Sequence, residues 1–150
     1  LDGFSPQKCP QVWSVEFLTK VNQKLNPQGY LITYSCSAAI RKTLKDFGLN
    51  IFNIKPNLAS KNLWSSGTIA VKIIDEKVLQ SNLYFKKLSS MEEEHLLTKA
   101  SIPYRDPTLS SNTKDIIKKR FQEQLLSNLN TSKKWRDKWG MTKKNLNTKI

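Results

Sequence analysis

The chain is short of the residues that build metal centres and disulfide scaffolds. It has two cysteines and one histidine in 150 residues. That leaves too few ligands for a structural zinc site, and no metal is expected. Cys9 and Cys36 lie far apart in sequence, which fits a reducing cytoplasm better than a disulfide framework. Glycine is also scarce, with five residues and no G-x-G anywhere. No apolar run approaches the roughly 20 residues that a spanning helix needs, so no membrane partner is expected. The opening residues carry no signal-peptide pattern. Acid is in deficit as well: twelve Asp and Glu stand against 25 Lys and Arg, a net charge of +13.

What is present suits about one globular domain, with 38% apolar and 25% charged residues. The positive excess points to a polyanion, RNA ahead of a membrane surface. It is unevenly placed. Residues 1–75 balance to +5 (nine basic, four acidic), residues 76–112 to zero, and residues 113–150 to +8 (eleven basic, three acidic). The last quarter can neutralise phosphates and release their counterions, or serve as a solvated, solubilising end.

Periodicity sets the expected elements. Trp13, Phe17, Val21 and Leu25 recur every fourth residue and predict a helix, with Glu16 and Lys20 paired on its other side. Asn26-Pro27-Gln28-Gly29 ends it. Tyr30 to Ser35 reads as a buried strand. Ser37 caps a helix with Ile40, Leu44 and Phe47 on its core face and Gly48 beyond its end. Strands follow at 50–54 and 68–74, with a polar connector from Pro56 to Gly67 that holds Leu63 and Trp64. This alternation predicts an α/β sheet with helices on its faces. Beyond Asp75 the pattern changes. Residues 78–91 are ambiguous and helical in part, and a short helix starts near Glu92. The prolines at 103 and 107 impose irregular chain. A helix runs from about Thr113 to Leu129 with Ile117, Phe121 and Leu125 as its core stripe. Trp135 and Trp139 pack back onto the domain or stack on bases, and the last ten residues look frayed.

The chemistry-bearing stretch is the first. Asp2 is followed by a glycine, the aromatic Phe4, then Ser5 and Pro6. In open α/β sheets ligands lie beyond the carboxyl ends of strands. A carboxylate there can accept a hydrogen bond and a proton from an amine, and an aromatic face favours a cation or stacks on a base. On spacing alone the plain turn residue is the favoured reading of Asp2.

Asp2-Gly3-Phe4-Ser5-Pro6, then Pro10 and Trp13, resembles the D-[AG]-F-[SA]-P-x-x-N-P-x-[LM]-W signature of the MnmC-like methyltransferases. Gly29-Tyr30-Leu31-Ile32-Thr33-Tyr34-Ser35 is similar to that family's G-x-L-x-T-Y-S strand, and Ala38-Ala39-Ile40-Arg41 to the start of its next helix. The similarity covers about residues 1–74. A fainter one touches the Pro-Tyr-Arg-Asp-Pro segment of stand-alone, cyanobacterial-type members.

The resemblance implies a class I, Rossmann-like fold with a closing antiparallel strand pair, and S-adenosyl-L-methionine as cofactor. It implies methylation of the aminomethyl group of 5-aminomethyl-2-thiouridine at the tRNA wobble position. Asp2 would be the catalytic carboxylate that orients and deprotonates the amine, with Phe4, Ser5, Pro6 and Tyr34 shaping the pocket. Arg105, Lys118, Lys119, Arg120, Lys133, Lys134 and Arg136 are the expected tRNA contacts. His95, beside three glutamates, reads as an exposed helix residue.

Two departures stand out. Cys9 takes the place of the signature's asparagine, and the family's glycine-rich cofactor loop is absent. Residues 1–75 are therefore expected to be the C-terminal half of a methyltransferase domain whose cofactor-loop half lies upstream, and residues 76–150 a basic, mostly helical extension. Such a fragment would be inactive alone. The competing readings are a small-molecule amine methyltransferase of the same fold and a non-catalytic RNA-binding module.

Overall fold

The computed structural model describes residues 1–54, 67–74 and 85–141. The connector read at 56–66, the stretch 78–84 and the tail 142–150 lie outside the described residues.

A 3-10 turn at Pro10–Trp13 leads into α1 (Val15–Lys24), then β1 (Tyr30–Thr33), α2 (Ala38–Asp46), β2 (Asn50–Ile54), β3 (Thr68–Val71) and β4 (Phe85–Lys87). The helices α3 (Ser90–His95), α4 (Thr113–Leu126) and α5 (Ser132–Lys138) follow. The strands lie in the order β1-β3-β2-β4, every neighbouring pair antiparallel. β1 and β2 therefore run in the same direction, joined by the α2 crossover, and β3 is inserted between them. β2 and β3 form the closing antiparallel pair that the resemblance implied, while the place of β3 between β1 and β2 was not expected. β4 was not expected; residues 85–87 fall in the ambiguous stretch and extend the sheet beside β2.

Local chemistry explains most boundaries. The first helix divides because the Ser14 hydroxyl accepts from Phe17 N and sets a new N-terminus after Trp13. Leu18 rather than Phe17 is fully buried, and Glu16 accepts from Asp106 N at 2.6 Å instead of pairing with Lys20. Ser37 stands at the N-cap of α2, although its side chain makes no cap bond. Gly48 takes φ +79° just past that helix, a conformation side chains disfavour. A capping box opens α3, with Ser89 and Glu92 exchanging bonds.

One sheet face carries Leu31, Ile51 and Ala70 and packs with Trp13, Leu18, Ile40, Leu44, Tyr104 and Ile116. The opposite face carries Phe52, Ile69 and Val71, with Phe85 beside Phe52 and Tyr30. β1 is only half buried, contrary to expectation: Tyr30 and Ile32 are exposed on that second face.

The expected core stripe of α4 is overturned. Ile116 is buried, while Ile117, Phe121 and Leu125 face outward. The helix instead turns donors toward the irregular segment before it. Arg120 donates to the carbonyls of Ile102 (2.7 Å) and Ala100 (2.9 Å), and its guanidinium lies 4.4 Å from the Tyr104 ring centre. Gln124 donates to Lys99 O at 2.8 Å. Supplying donors to carbonyls in and just after the short 3-10 helix Lys99–Ser101 outweighs burying an apolar stripe.

A buried polar cluster holds the sheet to its helices. Arg41 of α2 donates from Nε to Thr68 Oγ1 (2.8 Å), from Nη1 to Glu92 Oε1 (3.0 Å), and from Nη2 to Asn53 Oδ1 (2.7 Å) and Gly67 O (3.2 Å). Glu92 also accepts from Asn53 Nδ2 (2.6 Å) and from the Ser89 backbone (2.9 Å) and hydroxyl (2.8 Å). Burial works to raise the Glu92 pKa, but the bonds from Ser89, Arg41 and Asn53 outweigh it and hold the carboxyl below its usual range. Its folded value lies below its unfolded value, so its stabilisation is present above the unfolded pKa of about 4.3 and fades as pH falls below it.

Two outcomes follow for stability, each read from urea unfolding of the complete protein. Arg41→Met should cost about 3–5 kcal/mol at neutral pH by leaving Glu92 buried without its cation. Adding Glu92→Gln should recover part of that loss and flatten the acid limb. A separate test is Gly67→Ala, whose new Cβ would sit 2.4 Å from Thr33 O and 2.9 Å from Ile54 Cδ1. Backbone cannot yield there cheaply, so a loss of about 2 kcal/mol or more is expected.

Candidate active site

The first residues lie against the carboxyl end of β1. Leu1 N donates to Ile32 O at 2.6 Å, which places Leu1 beside that strand. The hydroxyl of Tyr34, just past β1, donates to Gly3 O at 2.5 Å. Trp13 Nε1 donates to Phe4 O at 2.7 Å, and its ring meets Tyr34 edge-on at 6.2 Å. Trp13 itself is fully buried. Two side chains rooted in the domain thus hold two successive carbonyls of the loop. The fit at Gly3 is close, since a Cβ there would come within 2.8 Å of Val12 Cγ2 and displace that methyl.

Asp2, Gly3, Phe4, Ser5, Lys8 and Tyr34 line an open cleft of about 600 Å³. The structure therefore brings together four of the five residues singled out for the pocket: Asp2, Phe4, Ser5 and Tyr34. Pro6 stands behind them in the turn rather than in the lining. Phe4 is 76% exposed, so its ring faces the cleft and not the core. Among the described residues the Asp2 carboxylate has no hydrogen-bond or ion-pair partner. It is available to a ligand. The Lys8 side chain, which sequence reasoning missed, is uncommitted in the same sense. No pattern could have singled out one lysine in so basic a chain.

The basic residues expected at a nucleic acid fall into two groups. Arg120 is spent on backbone carbonyls, and Arg105 Nε pairs with Glu123 at 3.2 Å. Lys118, Lys119, Lys133, Lys134 and Arg136 are exposed. Trp135 is buried, donates to Met91 O at 2.9 Å and stacks on His95 with ring centres 4.1 Å apart. Trp139 donates to Glu94 Oε2 at 3.0 Å. Both tryptophans thus pack back onto α3. His95 is half buried rather than exposed, and burial together with the charges of Arg41 and Arg136 lowers its pKa against the pull of Glu92.

The residues present fit one end of S-adenosyl-L-methionine. An exposed aromatic ring suits a sulfonium, and a carboxylate suits the amine it would methylate. No glycine-rich phosphate- or ribose-type cradle stands in the sequence. Among the described helices, none is long and apolar enough to cross a membrane.

Residues 1–70 match the family of S-adenosyl-L-methionine-dependent methyltransferases. An uncharacterised protein of Methanocaldococcus jannaschii is 27% identical over 124 residues, which is 82% of this chain and 32% of that protein. The tRNA 5-methylaminomethyl-2-thiouridine biosynthesis bifunctional protein MnmC of Dichelobacter nodosus is 35% identical over 51 residues, 34% of this chain and 8% of its own length. The protein of the same name from Chromohalobacter salexigens is 30% identical over 77 residues, covering 51% of this chain and 11% of itself. MnmC2 from Aquifex aeolicus, a crystal structure, shares the fold with a TM-score of 0.65 at 22% identity, over 82% of this chain and 36% of that one. The chain thus spans about a third or less of the length of these relatives. Residues 1–70 are thus similar to S-adenosyl-L-methionine-dependent methyltransferases, the chain is similar in part to two MnmC proteins, and it shares the fold of MnmC2.

Proposed function

We propose that the chain forms the substrate side of an N-methyltransferase that acts on the aminomethyl group of 5-aminomethyl-2-thiouridine at the wobble position of tRNA. The observation that carries this reading is the uncommitted carboxylate of Asp2 beside the exposed Phe4 ring, in a cleft at the carboxyl end of β1. The names of the two MnmC relatives supply the nucleoside.

The chemistry asked of Asp2 is limited. An aminomethyl nitrogen is protonated at neutral pH and cannot attack in that form. Asp2 accepts its proton and frees the lone pair, then faces the cationic product. S-adenosyl-L-methionine, when bound, supplies the methyl group on an electrophilic sulfonium. Phe4 offers a ring face to positive charge near the reacting atoms. Tyr34 and Trp13 fix the loop through the Gly3 and Phe4 carbonyls, so the carboxylate is positioned before substrate arrives.

The first strands of the sheet and the cradle for the rest of the cofactor are proposed to lie in chain outside these 150 residues. Residues 1–75 are taken as methyltransferase and 76–150 as a basic helical extension, with Lys118, Lys119, Lys133, Lys134 and Arg136 contacting tRNA phosphates. The 150 residues alone would then transfer no methyl group.

In the complete enzyme, Asp2→Asn should lower kcat for tRNA methylation by about 10²- to 10³-fold with the KM for S-adenosyl-L-methionine little changed. Undiminished methyl transfer in a labelled-methyl assay would refute the role of Asp2. Changing Lys118, Lys119, Lys133, Lys134 and Arg136 together to glutamine should weaken tRNA binding. It should also reduce the slope of log affinity against log salt by about 0.7–0.9 for each phosphate no longer neutralised. An unchanged slope would remove the extension from the tRNA interface.

A further inference from the structure

The cleft carries a second charge that the amine chemistry does not use. Lys8 lines it together with Asp2, Phe4 and Tyr34. Its backbone is fixed. The Ser5 carbonyl accepts from Lys8 N at 2.8 Å and from Cys9 N at 3.0 Å, closing a turn over residues 5–9. Pro6 stiffens the inside of that turn, and the buried Pro10 starts the 3-10 turn that ends in the buried Trp13. The lysine is therefore presented at one place on the cleft wall. Among the described residues no carboxylate pairs with it, and it does not pair with Asp2 across the cleft.

Two opposite charges that share a 600 Å³ cleft without neutralising each other suit a ligand with two charges of its own. Asp2 takes the cation. Lys8 calls for an anion a short distance from that cation. A free alkylamine has none. Two molecules could supply one: a phosphodiester beside the reacting base, or the carboxylate of the methyl donor. The cleft is open to solvent, and the chain carries +13 overall. Both favour an extended polyanion laid across the mouth over a small group held deep inside.

We propose that Lys8 holds a backbone phosphate of the polynucleotide that bears the amine. The residue then sets specificity: the cleft accepts an amine presented on a nucleic acid strand and discriminates against the same amine without a phosphate. The inference rests on the amine-methylating reading above and names how that site recognises its substrate class. Lys8 is a binding residue and takes no part in the proton transfer. A lysine suits the task, because a point charge on a flexible stem tolerates variation in phosphate position.

The test uses the complete enzyme with Lys8→Ala, Lys8→Glu and Lys8→Arg, and steady-state kinetics with tRNA and S-adenosyl-L-methionine varied separately. Lys8→Ala should raise the KM for tRNA about five- to tenfold, with kcat within twofold and the KM for S-adenosyl-L-methionine unchanged. Lys8→Glu should raise it further, and Lys8→Arg should restore it. The salt slope of tRNA binding should fall by about 0.7–0.9, the share of one phosphate. A rise in the KM for S-adenosyl-L-methionine with that for tRNA unchanged would assign the lysine to the methyl donor and overturn the proposal. Unchanged kinetics in Lys8→Ala and Lys8→Glu would overturn it as well, while the amine reading stood. A wild-type enzyme that methylates no tRNA amine would overturn both.

Discussion

Arg41 is the residue on which the rest of the structure leans. It is 3% exposed, and its guanidinium reaches β2, β3 and α3 at once. A cation withdrawn from water costs several kcal/mol unless its donors are satisfied, and the same holds for Glu92. Here the carboxylate gathers bonds from Arg41, Asn53 and Ser89. The cluster therefore closes without an orphaned charge. It also fixes register. Asn53 and Thr68 are direct cross-strand partners, and a one-residue slip of either strand would turn one of them to the other sheet face. The apolar residues at the other end of that face are less selective. Polar geometry thus specifies what hydrophobic burial alone would leave degenerate.

The same cluster extends toward the cleft. The Thr68 hydroxyl accepts from Arg41 and donates to Ser35 O at 2.6 Å. Ser35 follows Tyr34, whose hydroxyl holds Gly3 O. A continuous path of hydrogen bonds and backbone therefore joins α3 to the loop that carries Asp2. Loop backbone is held at its carbonyls, while the Asp2 and Lys8 side chains are left to a ligand. A site built this way keeps its charged groups unpaired only because other residues carry the loop's order.

Much of this was legible in the sequence and some was not, for physical reasons. The order of helices and strands through residue 74 followed from periodicity and from Gly and Pro breaks. The signature loop pointed to Asp2, Phe4 and Ser5, and the carboxyl end of the first strand to Tyr34, before any geometry was known. The insertion of β3 between β1 and β2 is tertiary and leaves no mark on local pattern; the family resemblance implied only that β2 and β3 pair antiparallel. The α4 stripe misled because periodicity ranks apolar burial first. It does not see that the chain from Lys99 to Ile102 presents carbonyls that need donors. β4 has only three residues, too short for a period. Lys8 was invisible because a basic residue in a basic chain has no contrast.

The fate of the basic residues separates two roles that composition merges. Arg41 and Arg120 are consumed by internal acceptors, where a planar fork of donors can serve several oxygens, and Arg105 pairs with Glu123 at the surface. The exposed positive field falls mainly to lysines, on α4 and α5 and at the cleft. Lysines of this kind attract a polyanion without reading its sequence, and their effect weakens as salt rises. A net charge of +13 would therefore suit the proposed capture of a polynucleotide but not a choice of nucleotide. In the proposed reading that choice falls where charges are few and fixed. On this chain the place that meets the requirement is the cleft, where one carboxylate and one ammonium stand apart on a loop anchored by Tyr34 and Trp13.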